Sequence, residues 1–550
     1  MSSQGTVDKT TVVSREKYCS IDTKTDGSLK EYYNSTWKIY LVVIALALTT
    51  FCTSLDSTIL ATAIPQITDR FNSLDDVEWY GAAYLLANCS VQLIYGKLYH
   101  LHSVKWVYLV ALFLFQLGSF VCAIAPSSVV LITGRAVAGL GAAGILSGSI
   151  LMIRQLVPLH QRPGYMAALA SMTGIAWIIG PIIGGAFTDS VSWRWCFYIN
   201  LPFGLITCIL LLIFYQPLQL LPNSQRVSLR DSVRFLDIEG TALFLPAIVS
   251  LLLALQWGGT KFPWGSVQII VLLIIFSITS VGFVFVQIWK QELATVPPRV
   301  MTSRNVWAGF VFTFCFGAAV VVAMYYIPLW LQVIKNDSSE SSGIMTLSLV
   351  IAMVVTSLLT AILITVIGYY TPFMILASIL MSVGGGLLST LDTNASSKKY
   401  IAFQIIFGSG VGCGIQQSMV AIQAAVNGSG SRNSSSSSSS GSNGSAVSMG
   451  TAIMTFAQTL GGAIFIAVAQ NVFENKLSNG IVAAKVPGLD SQAILKIGAT
   501  ELRNTVESQY WDAVSHAYNA AIDDTFRVAT IVAAVSILGA LGMEWISIKR

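Results

Sequence analysis

About fourteen stretches of roughly twenty apolar residues, separated by short polar breaks, run along this 550-residue chain between residues 38 and 546. At 1.5 Å of helical rise per residue, each is long enough to cross the hydrocarbon of a bilayer, about 30 Å. They lie near 38–62, 79–98, 105–125, 128–152, 164–187, 195–215, 238–257, 266–288, 306–333, 344–367, 371–391, 400–425, 446–470 and 527–546. None alternates with the two-residue period of a barrel strand, and backbone in lipid must satisfy its own hydrogen bonds. The chain is therefore expected to be an all-α polytopic membrane protein with 14 transmembrane helices. With 10% charged and 54% hydrophobic residues, a soluble enzyme is excluded, and a net charge of +5 is too small for a nucleic-acid-binding surface.

Basic residues orient such a bundle. One set of loops carries Lys97, Lys105, Arg154, Arg162, Arg226, Arg230, Arg234, Lys290, Arg299, Arg304 and Arg432. The other holds Arg70, Arg194, Lys261, Lys335, Lys398 and Lys399, so both termini are expected in the cytosol. No basic–apolar–small leader precedes the first run, which is expected to direct insertion itself. The cysteines within the runs form no CxxC pair, so neither a disulfide frame nor a zinc site is expected.

The layout reads as a cytosolic tail (1–37), a six-helix half (38–216), a cytosolic loop (217–236), two linker helices (237–288) and a second six-helix half (306–546). The second half is interrupted by a serine-rich cytosolic loop at 427–445 and an outer loop at 471–526, within which 489–521 looks helical. A weak duplication supports the two halves. Gly96-Lys-Leu-Tyr99 and Gly368-Tyr-Tyr-Thr371 are matching short turns, each followed closely by a glycine-rich span. Parallel repeats around a central site mark a secondary transporter. Asn336-Asp-Ser and Asn394-Ala-Ser fall outside as candidate glycosylation acceptors.

Charge at membrane depth is costly and points to function. Asp56 lies nine residues before Pro65, and Arg135 nine after Pro126, which puts both about 13 Å below the outer boundary. Such a pair keeps the carboxyl ionised until the bundle rearranges and desolvation favours proton uptake. In the fifth span Gly174, Gly180, Pro181, Gly184 and Gly185 combine a kink with a small-residue face that admits a neighbouring backbone. Asn88, Gln92, Trp177, Tyr325, Tyr326, Gln332, Gln416, Gln417 and Gln458 are the candidates for a midplane substrate cavity. Amides in membrane helices serve equally as interhelical glue.

Leu55-Asp-Ser-Thr-Ile-Leu-Ala-Thr-Ala-Ile-Pro65, Gly96-Lys-Leu-Tyr99, Gly134-Arg-Ala-Val-Ala-Gly-Leu-Gly141 and the glycine–proline block of the fifth span, continuing to Pro202, resemble the major facilitator superfamily. More narrowly they resemble its fourteen-span drug:proton antiporter branch. Asp237-Ile-Glu-Gly240, Leu255-Gln-Trp-Gly258, Tyr325-Tyr-Ile-Pro-Leu-Trp330 and Gln458-Thr-Leu-Gly-Gly462 look like blocks of fungal toxin and multidrug efflux pumps of the aflatoxin and HC-toxin transporter type. The resemblance implies the major facilitator fold and proton-coupled efflux by alternating access. Arg135 would stand in the coupling motif, and the span-five glycines with Pro181 in the antiporter motif. One departure stands out: the family's loop after span two carries an acidic residue, whereas Tyr99-His-Leu-His-Ser-Val-Lys105 has none. Lys97, His100, His102 and Lys105 are instead expected to meet anionic headgroups.

The expected cargo is a hydrophobic metabolite, toxin or drug, with protons and the bilayer as the other partners and no cofactor beyond the proton gradient. A proton-coupled uptake symporter for siderophores or amino acids is the alternative on the same fold. The expected site is the plasma membrane, with the vacuolar membrane as the alternative, and a monomer suffices. No HExxH, CxxC or phosphate-cradling loop supports an enzyme or an ATP-driven pump.

Overall fold

The structure is a computed structural model that describes residues 36–71, 76–216, 237–259, 261–291, 294–301, 303–336, 339–432, 439–484 and 510–548. The expected loop 217–236 and nearly all of the tail lie outside the described residues, as do 433–438 and 489–509.

The long helices are α1 (Thr36–Phe71), α2 (Val77–Leu101), α3 (Val104–Ala123), α4 (Ser128–Leu156), α5 (Arg162–Ser190), α6 (Trp195–Phe214, broken after Tyr198) and α7 (Ile238–Trp257). They continue as α8 (Val267–Lys290), α9 (Arg304–Ile334), α10 (Ser339–Ile367), α11 (Thr371–Leu388), α12 (Ser397–Gly414, resuming after a turn as Gln417–Arg432), α13 (Ser439–Ala484) and α14 (Trp511–Gly542). No strand occurs among the described residues beyond a single bridge, Gly258 with Phe262. Thirteen of these helices are long and apolar enough to cross a membrane. The other, α2, has the length at 25 residues, but Asn88, Ser90 and Gln92 dilute its apolar character. It packs on α4 and α13, where polar side chains meet protein instead of lipid.

Helices α1 to α6 pack among themselves, chiefly α1 on α5 and α6, and α4 on α2 and α3. Helices α9 to α14 form a second group, with α9 on α13 and α14, and α12 on α10 and α11. The groups meet along α5–α10 and α2–α13, while α7 and α8 pair with each other and α7 also touches α2 and α13. Small residues set these distances. A Cβ on Gly141 of α4 would lie 2.8 Å from the Phe115 Cα of α3, so only glycine lets the two backbones come this close. Helix α8 buries only Ile269 and Gln287, and its remaining apolar surface is turned outward as lipid-facing surface must be.

The ends of α13 and α14 correct the sequence reading. Residues 471–484, expected within an outer loop, are helical, and 511–521, part of the stretch read as helical, is continuous through 522–526 with the last span, so α14 begins at Trp511 instead of 527. Hydropathy marks where a helix crosses lipid, whereas backbone hydrogen bonds continue into water wherever side chains support them. Here Lys476 pairs with Asp524 at 3.0 Å, and Phe473 packs edge-on against Tyr518 at 5.5 Å, joining the two extensions. Helix also covers 427–432 and 439–445 on either side of the serine run, where an irregular loop was expected.

Candidate functional site

Asp56 on α1 and Arg135 on α4 form the one ion pair among the described residues in which both side chains are buried, at 0% and 1% exposure. Arg135 Nη1 lies 2.5 Å from Asp56 Oδ2, and Arg135 Nε donates to the Tyr80 carbonyl of α2 at 2.9 Å. Asn200 of α6 donates to Asp56 Oδ1 at 3.1 Å and contacts Ser119 Oγ of α3 at 3.2 Å. The guanidinium also lies over the Tyr84 ring, 4.5 Å from its centre. Side chains and backbone from α1, α2, α3, α4 and α6 thus converge on one carboxylate. Two charges held out of water need this many partners, because desolvation opposes the pair as strongly as Coulomb attraction favours it.

Asn200, Ser119 and the Tyr80 carbonyl were absent from the sequence reading. An asparagine six residues into the apolar run from Trp195 was the available signal for the first. The other two become visible only through helix packing.

Next to this pair, α5 lies against α1. A Cβ on Gly180 would fall 3.0 Å from Thr58 Cβ, and one on Gly184 would fall 2.9 Å from the Ile59 carbonyl oxygen. Gly174 faces the other way, toward Val350 and Met353 of α10, while Gly185 has nothing within 4 Å. Pro181 sits inside α5 between these contacts. One helix therefore touches both α1 and the second group.

The cavity candidates are not gathered into one space. Gln92 is fully buried and donates to Ser147 Oγ at 2.7 Å, gluing α2 to α4. Gln332 binds Ser342 Oγ of α10 at 3.0 Å, and Tyr326 is buried against Phe473. Trp177 packs half-buried on the main core, and Gln458 presents its backbone to Gly317 of α9. Tyr325 is 56% exposed, and Asn88 is half-buried with an oxygen that has no hydrogen-bond partner among the described residues. Gln416 and Gln417 do lie together, lining a small recess of about 10 Å³, room for about one water molecule, with Ser357 of α10 and Pro163 and Ala167 of α5. Sequence places an amide along its helix but does not say which neighbour it turns to, so glue and cavity residues read alike.

At the end of the bundle rich in lysine and arginine, here the basic end, Arg162 Nη1 donates to Gln423 Oε1 at 3.0 Å and Thr365 Oγ1 to the His160 carbonyl at 3.1 Å. Both bonds join the first group to the second. Lys105, expected at headgroups, caps the end of α6 through the Tyr215 and Leu212 carbonyls at 2.7 and 3.0 Å. Lys97 is buried as well. At the opposite end, Asn336 and Asn394 are exposed in the turns after α9 and α11, which Lys335 ties together by donating to the Thr393 carbonyl at 2.8 Å.

The Major Facilitator Superfamily profile matches residues 46–466. The MFS-type efflux pump MFS1 of Trichophyton rubrum is 48% identical over 513 residues, covering 93% of this chain and 92% of its own. The MFS-type transporter astH of Aspergillus oryzae is 46% identical over 517 residues (94% and 88%), and the efflux pump aflT of Aspergillus parasiticus 43% over 519 residues (94% and 97%). In fold the chain is similar to the human organic anion transporter MFSD10, with a TM-score of 0.55 at 15% identity over 90% of this chain and 99% of that one. A bacterial homologue of the human lysosomal transporter Spinster, in an inward-facing conformation, also gives 0.55, at 12% identity over 92% and 98%. With a matching profile across most of its length and relatives this close, the chain belongs to the Major Facilitator Superfamily and is a multi-pass membrane transporter, not an enzyme.

Proposed function

We propose that this transporter exports a hydrophobic small molecule, a secondary metabolite, toxin or drug, in exchange for protons. The observation that carries the proton coupling is the buried Asp56–Arg135–Asn200 constellation. A carboxylate at membrane depth stays ionised only while its cation and amide hold it. If α1 shifts against α4, Asp56 loses those partners in a dry site and takes up a proton; returning to Arg135 expels it. The direction of transport rests on the relatives, several of which are named efflux pumps.

In this reading the groups α1–α6 and α9–α14 are the halves that rock about the α2–α13 and α5–α10 seams, opening a central path for cargo alternately to each side. The basic end faces the cytosol and the chain sits in the plasma membrane. The test is accumulation of a panel of radiolabelled or fluorescent apolar compounds in cells with and without the chain. Export predicts lower accumulation of some compound with the chain, and the difference should vanish on adding a protonophore. Raised accumulation, or a difference that survives the protonophore, rejects the reading.

Asn336 and Asn394 are proposed glycosylation acceptors on the outer side. Asn336→Gln and Asn394→Gln should each remove a step in apparent mass that an endoglycosidase also removes from the parent chain. No change with the enzyme rejects both.

A further inference from the structure

Beyond its break, α6 buries only a narrow stripe, Asn200, Gly204, Thr207 and Leu211, while Leu205, Ile206, Ile209, Leu212 and Ile213 point outward. The stripe is polar where α1 and α3 face it. Asn200 bonds Asp56 of α1 and Ser119 of α3, as described above. Two turns further along α6, Thr207 Oγ1 accepts from Thr49 Oγ1 of α1 at 3.1 Å and donates to the Ala45 carbonyl at 3.2 Å. Nearer the basic end, the hydroxyls of Tyr108 of α3 and Ser149 of α4 bond at 3.3 Å, and Tyr108 lies within hydrogen-bonding reach of Thr49. Tyr215, one turn past Leu211, donates to the half-buried Gln155. A column of buried polar groups therefore runs from Asp56 toward the basic end, over about 16 Å of α1 from Asp56 to Ala45.

Between the Asn200 and Thr207 levels stands Gln116 of α3, nearly one turn from Ser119. A Cβ on Gly204 would overlap its amide and lie 2.8 Å from its Cγ, so the glycine of α6 makes the room that this amide occupies. Both polar atoms of the Gln116 amide are buried without a hydrogen-bond partner among the described residues, and so is Asn200 Oδ1. An amide that glues helices makes its bonds within the protein, as Gln92 does to Ser147. Gln116 makes none there, and buried polar groups seldom go without a partner of some kind. A buried water takes about three such partners, the number these atoms offer. Asn200 and Gly204 are one turn apart, about 6 Å, a span that one or two waters bridge. Helices α3 and α6 pack chiefly within the first group, away from the α2–α13 and α5–α10 seams.

We propose that this column is the route by which the coupling proton leaves Asp56 for the basic end, with Gln116 as the positioning residue that holds water between Asn200 and Thr207. The proton passes from the Asp56 carboxyl to the water at Gln116, then through the Thr207 and Thr49 hydroxyls to those of Tyr108 and Ser149. Each oxygen on the way accepts one proton and releases its own, so the net change is a carboxylate left at Asp56 and a proton delivered at the basic end. Proton and cargo then travel separately, the proton inside the first group and the cargo between the two groups. The route rests on the proton-coupled reading above.

The experiment follows export of a panel compound by the parent, Gln116→Met, Thr207→Val and Thr207→Ser, in H2O and in D2O. Methionine keeps the length of glutamine and removes no bond within the protein, so the amount at the cell surface should not change. Export should slow on the order of tenfold and fall further in D2O than the parent's does, because proton transfer becomes the slow step. Thr207→Val keeps the shape and loses the hydroxyl, and should behave alike; Thr207→Ser should restore both the rate and the isotope ratio. If Thr207→Val does not reach the surface, Gln116→Met decides alone. Gln116→Met exporting at the parental rate, or slowed with the parental isotope ratio, overturns the proposal. A second readout needs no cargo: a density map of the purified parent chain in lipid nanodiscs, at a resolution that shows water, should hold a water about 3 Å from the Gln116 amide. A dry amide overturns the route even where export is proton-coupled. A hydrated amide in a chain whose export survives the protonophore instead rejects the proton-coupled reading on which the route rests.

Discussion

Arg135→Ala is expected to abolish protonophore-sensitive export and to reduce the amount of chain in the membrane, whereas the double variant Arg135→Gln with Asp56→Asn should recover the amount without the export. The first effect follows from leaving a carboxylate at 0% exposure without its cation, a loss of about 3–5 kcal/mol in buried pairs. That is a large part of the roughly 5–15 kcal/mol by which folded chains exceed unfolded ones. Asn200 alone, at 3.1 Å, cannot replace a charge. The double variant removes both charges and keeps shapes close to the originals. Its amides can still bond to Asn200 and the Tyr80 carbonyl, so packing of α1 on α4 should survive. What it lacks is a group able to bind and release a proton. Fluorescence of a tagged chain at the cell surface measures the amount, and compound accumulation with and without protonophore measures the coupling. A double variant that still exports in a protonophore-sensitive way would place the transported proton on another residue.

The depth of Asp56 and Arg135 was legible because helical rise converts residue number into height, and both counts from a proline gave the same height. Height along each helix is nevertheless one coordinate of three. The rotation that turns Asn200 toward Asp56, Gln92 toward Ser147 and Tyr326 toward Phe473 is decided by the neighbours' side chains, which come from distant parts of the chain. The helix extension at 471–484, and the continuity of the helical 511–521 with the last span, were missed for a related reason. Their polar residues look like loop, yet Lys476 and Asp524 find each other across two helices. Lys105 was taken for a headgroup contact because its partners, the α6 carbonyls, lie more than a hundred residues away. Serine-rich sequence near 439–445 reads as linker, although in the structure the helix of α13 already covers it.

Gly184→Val should stop export while leaving the chain in the membrane, and Gly185→Ala, one residue along, should export like the parent. A Cβ at Gly184 would stand 2.9 Å from both the Ile59 carbonyl oxygen and Ile59 Cγ1, with Thr62 Oγ1 closer still. The carbonyl belongs to the backbone of α1 and cannot rotate aside as a side-chain end can. The two extra methyl groups of valine then force α5 away from α1, an overpacking cost of about 1–3 kcal/mol. A bundle with this many interhelical contacts tolerates that loss of stability more readily than α1 tolerates the displacement. Ile59 lies one turn from Asp56, so a shift of α1 moves the carboxylate relative to Arg135 and Asn200, whose bonds lie at 2.5 and 3.1 Å. Coupling should fail before folding does. Gly185 has open space where a Cβ would go, and alanine is the better helix former by about 1 kcal/mol, so its substitution should be neutral or slightly stabilising. Gly174→Ala falls between them, since the nearest atom is the mobile Met353 methyl, although Val350 at 2.9 Å must also yield. Export and surface amount, measured together across Gly174→Ala, Gly184→Val and Gly185→Ala, separate a seam that has to move from one that only packs. Normal export by Gly184→Val would show that the close approach of α5 to α1 is packing alone.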